Sequence, residues 1–182
     1  MINKLLSAFL IVVSLFNVAS CGGVSDDEIL STLSELAPRA AEVYAVIYGD
    51  SVPHGEADES GMCMVSEDSK YKSTADISLS MLDAFTVEYA DVLANTAFRG
   101  VTSDEGGKNP KFFEQDGVLY VCPSATEGFV VPSAPDLTNA KVVKKNKFMA
   151  VVNIPQGDGI EDDIEVTLRF TDKGWKIDSP LF

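Results

Sequence analysis

Apolar residues in the first half of the chain recur at helical spacing. Over 26–48 they return every three or four positions, the period of one face of an α-helix. Ser25 and the acidic residues after it are typical of a helix start, and Gly49 is typical of a helix end. The pattern predicts one helix over about 26–48. We expect a bend near 35–38, because Pro38 removes a backbone hydrogen bond.

Two shorter helical patterns follow a polar stretch over 50–68. Ser73 with Asp76 three positions later is a capping box, and Thr86 is a second N-cap. We predict helices over about 74–84 and 87–97 that meet at an angle near Thr86. Within the polar stretch, the segment 61–65 could form a short strand.

From residue 111 the apolar period changes from helical spacing to strict alternation, which predicts strands. The predicted strands are 111–115, 118–122, 140–143, 148–154, 164–170 and 175–178. Asp116-Gly117 between the first two is a strong hairpin signal. Helices followed by an antiparallel meander predict an α+β fold, with N-terminal helices packed on one face of a curved antiparallel sheet. We expect one such domain over 25–182.

The first residues form an export signal. Lys4 precedes a short apolar stretch that ends in Val18-Ala19-Ser20-Cys21, and this stretch is too short to span a bilayer. A small-residue site directly before Cys resembles the bacterial lipobox, in which Cys is lipidated and the chain is cut before it. We therefore expect a lipoprotein signal peptide at 1–20, a lipidated tether at 21–24 and attachment to the outer face of the bacterial membrane or envelope. An ordinary secretory signal is the alternative.

Charge narrows the classes of partner. The chain has 28 acidic and 14 basic residues, a formal net charge of −14. Nucleic acid is excluded as a partner, because Lys and Arg are too few to displace counterions from phosphates. A basic membrane-surface helix is excluded because basic residues are outnumbered by acidic ones. We therefore expect contact with the membrane through the lipid anchor only.

Cys63 and Cys122 are the cysteines that remain after Cys21. In an exported protein, two cysteines beyond the lipidation site predict a disulfide between them. The bond would close a loop of about sixty residues and stabilise the fold by roughly 4 kcal/mol. Two buried free thiols are the alternative. Zinc is not expected, since a structural site needs four ligands and the chain has one His.

Four segments together resemble the NTF2-like, or cystatin-like, cone fold. They are AEVYAVIYG at 41–49, AFTVEYA at 84–90, DGVLYV at 116–121 and KGWKI at 173–177. Within that group the chain looks most like IseA-type exported proteins, which inhibit cell-wall DL-endopeptidases. The resemblance implies a non-catalytic protein that occludes the active site of an exported cell-wall hydrolase. It carries no inhibitory residue over to this chain.

Candidate catalytic and metal-binding residues are few. His54 lies in a polar turn, which favours an exposed loop residue over a catalytic base. The acidic stretch 158–163 could attract Ca²⁺, but it lacks the ligand spacing of an EF-hand, and a charged hairpin tip explains it. We expect no enzyme activity, no metal and no cofactor. A module that binds a small apolar ligand in the cone cavity, and a cone-fold enzyme, are the two alternative functions.

The apolar residues Phe129, Val130 and Val131 interrupt a stretch rich in Pro, Ser and Ala. Two interpretations are open. The run could be an edge strand that covers the sheet, or an exposed loop that docks on a protein partner. The second interpretation makes these three residues the candidate partner-binding site.

Overall fold

The computed structural model describes residues 23–100, 110–131, 133–156 and 163–182. It is an α+β fold with three α-helices and two antiparallel sheets. The helices are α1 (Asp26–Tyr48), α2 (Thr74–Ala84) and α3 (Val87–Arg99). The predicted signal peptide and the first two tether residues, Cys21 and Gly22, lie outside the described residues. Val24, the last residue of the predicted tether, packs against the core.

Local chemistry explains where the first helix begins and ends. The Ser25 side chain accepts a hydrogen bond from the backbone N–H of Glu28 at the start of α1. The N–H of Gly49 donates to the carbonyl of Ala45 at its end. Pro38 lies inside the helix, which continues past it as one element. The predicted bounds are confirmed.

The two shorter helices are also set by their caps. Ser73 and Asp76 form the predicted capping box at the start of α2, with both reciprocal hydrogen bonds present. The hydroxyl of Thr86 accepts from the N–H of Tyr89 and caps α3. Thr86 also donates its hydroxyl to Asp178, which ties the junction of α2 and α3 to the C-terminal segment.

The strands form two four-stranded sheets. The first has the order β1-β2-β4-β3, and the second has the order β5-β6-β7-β8. The strands are β1 (His54–Ala57), β2 (Cys63–Val65), β3 (Phe112–Gln115), β4 (Val118–Val121), β5 (Lys141–Lys145), β6 (Met149–Ile154), β7 (Ile164–Thr171) and β8 (Gly174–Ile177). The expectation of one curved sheet is therefore corrected. The chain departs from one meander because β2, which precedes α2, pairs with β4, and β1 then pairs with β2.

The predicted hairpins are present. Asp116 and Gly117 join β3 to β4 with φ angles of 51° and 77°. Both angles are positive, as a tight hairpin turn of this type requires. In the second sheet, β5 to β8 pair in chain order, so that sheet is the simple meander that the alternation predicts.

One cluster of buried side chains includes residues of all three helices and both sheets. It extends along the chain from Ile29 to Leu181. The helix α2 contacts β3 of the first sheet and β8 of the second, so it links the two sheets. A parallel bridge between Phe85 and Ile177 adds a backbone connection at the same place. Within the described ranges, none of the helices has the length and apolar character needed to cross a membrane.

Candidate functional site

A cleft of about 430 Å³ lies where α1 ends and the first sheet begins. Three stretches of chain form it: the end of α1 with the two residues after it, the residue before β3, and the segment after β4. Its lining residues are Tyr48, Gly49, Asp50, Lys111, Pro123, Ser124, Thr126, Glu127, Phe129 and Val131. Its size falls in the range of small-molecule sites.

Lys111 is the buried charge of this cleft. The residue is only 2% exposed, and its Nζ atom donates a hydrogen bond to Oγ1 of Thr126 at 2.9 Å. Thr126 lies in a short 3-10 helix, Pro123–Thr126, directly after β4. The backbone carbonyl of Lys111 accepts from the N–H of Cys122, which fixes the position of the lysine beside the end of β4. Burial lowers the pKa of the Lys111 amine, because an ammonium loses its hydration there.

Asp50, in the cleft lining, is hydrogen-bonded to His54, and the contact is an ion pair when His54 is protonated. Nε2 of His54 lies 3.0 Å from Oδ1 of Asp50, and Nδ1 lies 2.8 Å from the carbonyl of Gly55. Both ring nitrogens face oxygen acceptors, so the doubly protonated imidazolium satisfies both. The Gly55 carbonyl and then the Asp50 carboxylate raise the pKa of His54, against an opposing effect of burial. His54 thus stands at the start of β1 and not in a free loop.

The apolar wall of the cleft joins α1 to the segment after β4. The ring of Phe129 stacks on Tyr48, with centroids 5.8 Å apart and planes at 23°. Beside it, Val131 approaches Gly49 so closely that a Cβ atom on Gly49 would lie 2.9 Å from Cγ2 of Val131. The same Cβ atom would lie 2.7 Å from the backbone carbonyl oxygen of Ala45, so the end of the helix itself favours glycine at this position. Residues 129–131 are not a strand in the structure, so the edge-strand interpretation is wrong.

The two cysteines are buried free thiols, so the predicted disulfide is not present in the structure. In the strand register the two residues are not direct partners. Cys63 lies directly opposite Val121, and directly paired residues share one face of a sheet. Cys122 is the next residue along, beyond the end of β4, and its Sγ atom lies 3.3 Å from Oγ of Ser124. Burial raises the pKa of the Cys63 thiol.

The structure brings several predicted residues to one place. Phe129 and Val131 line the cleft. The backbone N–H of Cys122 donates a hydrogen bond to the carbonyl of Lys111, which also lines it. Sequence reasoning missed Lys111, which precedes a strand and has the appearance of an exposed strand end. It also missed the link from Tyr48 to Phe129, because the two residues are far apart in the chain and neither carries a distinctive motif.

The candidate calcium segment falls mainly on 158–162, outside the described residues. Asp163, its last residue, accepts a hydrogen bond from the Asn153 side chain. Across the ranges that the structure describes, no group of three or more metal-ligating side chains occurs.

The cleft is suited to binding. It offers one buried amine, one apolar and aromatic wall, and two exposed carboxylates, those of Asp50 and Glu127. Comparison with known proteins finds no family model that matches the chain and no curated protein that is similar to it. The chemistry of the site must therefore be argued from its own residues.

Proposed function

We propose that this chain is a lipid-anchored, non-catalytic protein of the bacterial envelope that docks on an exported protein through Phe129, Val130 and Val131. In its specific form, the partner is a cell-wall DL-endopeptidase whose active site is occluded. The resemblance to NTF2-like inhibitors of the IseA type supports the choice of partner, and the α+β fold is compatible with it.

The observation that carries the docking proposal is the exposure of these three consecutive apolar side chains. Phe129 is 47% exposed, Val130 86% and Val131 38%. The other large apolar residues exposed in the described ranges are separated from one another along the chain. A continuous apolar run at the rim of a cleft is typical of a protein-binding surface, where an aromatic anchor supplies much of the affinity.

The Phe129 ring is also held in place before any partner arrives. It stacks on Tyr48, at the end of a 23-residue helix, and this contact favours the observed orientation of the ring. An anchor that is already ordered loses less conformational entropy on binding. The net charge of −14 would accelerate encounter with a basic hydrolase.

The contacts of His54 support a non-catalytic role. A general base must be free to accept a proton from a nucleophile or from water. Both ring nitrogens of His54 are engaged by oxygen atoms, on Asp50 and on Gly55. Neither nitrogen is directed at a thiol or hydroxyl among the described residues.

The test is a titration of the purified protein against exported cell-wall endopeptidases, with peptidoglycan hydrolysis as the readout. We expect inhibition at micromolar concentration of the chain, with no product formed by the chain itself. Absence of both binding and inhibition across such enzymes would reject the proposed partner. Hydrolysis by the chain alone would reject the non-catalytic assignment.

A further inference from the structure

We infer that the cleft at the end of α1 binds a small monocarboxylic acid with an apolar or aromatic body, its carboxylate on Lys111 and its body against Tyr48, Phe129 and Val131. This is a ligand site for a small molecule. It shares Phe129 and Val131 with the docking surface proposed above, but it does not depend on that function.

The Lys111 amine has more hydrogen-bond donors than it has described partners. An ammonium group has three N–H donors. At 2% exposure, Lys111 has little access to water, and Thr126 is the one hydrogen-bond partner of its Nζ atom among the described residues. Taking a charged amine out of water is costly unless an anion or several acceptors replace its hydration. A ligand carboxylate would supply the charge and the acceptors that the described residues do not place on Nζ.

Two carboxylates already line the cleft, those of Asp50 and Glu127. Asp50 lines it, but its Oδ1 atom is paired with His54, and no ion pair joins it to Lys111. Glu127 is exposed at the rim. The described carboxylates therefore leave the buried amine without an anionic partner within ion-pair distance.

The stacked rings of Tyr48 and Phe129 and the side chain of Val131 form an apolar surface beside Lys111 in the same cleft. Small-molecule sites combine such walls with few polar groups that fix orientation. A cleft of about 430 Å³ accommodates a molecule with one ring and a short acid chain.

The charge pattern selects a singly charged ligand. One buried lysine neutralises one negative charge, whereas phosphate and polyacid sites use several cations or a helix N-terminus. The exposed carboxylates of Asp50 and Glu127 and the overall charge of −14 disfavour ligands with more negative charge. A neutral ligand would add no counterion to the ammonium, which Asp50 favours only from beyond ion-pair distance.

The experiment uses the purified full-length chain in mild detergent, with hydrocinnamate as the probe and hydrocinnamamide as its uncharged counterpart. Isothermal titration calorimetry should show hydrocinnamate binding at least about tenfold tighter than the amide, because a charge-assisted hydrogen bond is lost in the amide. Lys111→Met should abolish this preference. Lys141→Met, which removes an exposed lysine from β5 in the other sheet, should leave it unchanged.

A second measurement on the unmodified chain keeps the test independent of whether Lys111→Met folds. Intermolecular nuclear Overhauser effects should connect the probe ring to the methyl groups of Val131 and the probe chain to the Thr126 methyl. Equal binding of acid and amide, or contacts only elsewhere on the chain, would overturn the inference. If the unmodified protein binds hydrocinnamate but docks on none of the endopeptidases tested, the proposed function is rejected and the ligand site is supported.

Discussion

Phe129 stacks on Tyr48 at a centroid distance of 5.8 Å, and this contact connects the proposed docking residues to the end of α1. The contact orders the Phe129 ring while leaving about half of it in solvent. The exposed part of the ring is available to a partner, and a substitution at Phe129 therefore tests docking directly.

Replacing Phe129 by Asp should weaken binding to the endopeptidase partner by about 2 kcal/mol or more, the usual cost of losing an aromatic anchor. Titration of the enzyme with both proteins measures the difference. Phe148→Asp is the matched control, since Phe148 is similarly exposed but lies in the turn between β5 and β6. Equal affinity of all three proteins would show that residues 129–131 are not the docking surface.

Replacing Lys111 by Met should stabilise the fold by about 1 kcal/mol near neutral pH, because it removes the desolvation of a buried ammonium and keeps an aliphatic chain. Urea denaturation gives the free energy of unfolding. A gain in stability with a loss of binding would be typical of a functional residue that is retained at the expense of stability. A clear destabilisation would contradict the account of this amine.

The sign of the pH dependence follows from the lowered pKa of Lys111. Between the folded and unfolded pKa values the unfolded state binds more protons, so the stability of the wild type should rise with pH over that interval. The Met variant lacks this contribution. The stability difference between the two proteins should therefore shrink as the pH approaches the ordinary pKa of lysine.

Replacing His54 by Ala should leave partner binding intact, because both ring nitrogens are used within the fold. The raised pKa of His54 means that its contribution to stability is present below the ordinary histidine pKa and is lost as the pH rises through the folded value. Proton NMR of the single His gives its pKa directly. A folded pKa below the ordinary value, or loss of partner binding in the variant, would contradict these expectations.

Thiol counting tests the state of Cys63 and Cys122. In the unfolded, unreduced protein we expect both to react, and in the folded protein neither, because both are buried. Finding no reactive thiol after unfolding would establish the disulfide that the sequence predicts and would require movement at the end of β4.

Replacing Cys21 by Ala should abolish incorporation of labelled lipid into the expressed protein, since that cysteine is the predicted attachment site. Replacing Cys63 by Ala is the control and should leave lipid labelling unchanged. Labelling that persists in the Cys21 variant would refute the lipobox assignment.

Elements whose signals are local could be predicted from the amino-acid sequence alone. Helix starts at Ser25, Ser73 and Thr86 are set by side chains that cap nearby N–H groups, and the structure confirms all three. The turn at Asp116-Gly117 follows from residues that tolerate positive φ angles. Such interactions join residues only a few positions apart, so the local sequence is enough to predict them.

The division of the strands into two sheets and the location of the cleft depend on contacts between distant segments of the chain. The pairing of β2 with β4 joins segments separated by two helices, and alternation specifies which face of a strand is buried but not which strand is its neighbour. That pairing places Cys63 opposite Val121, one residue out of register with Cys122. The burial of Lys111 depends likewise on groups contributed by distant segments, because desolvation is a property of the surrounding chain and not of the residue.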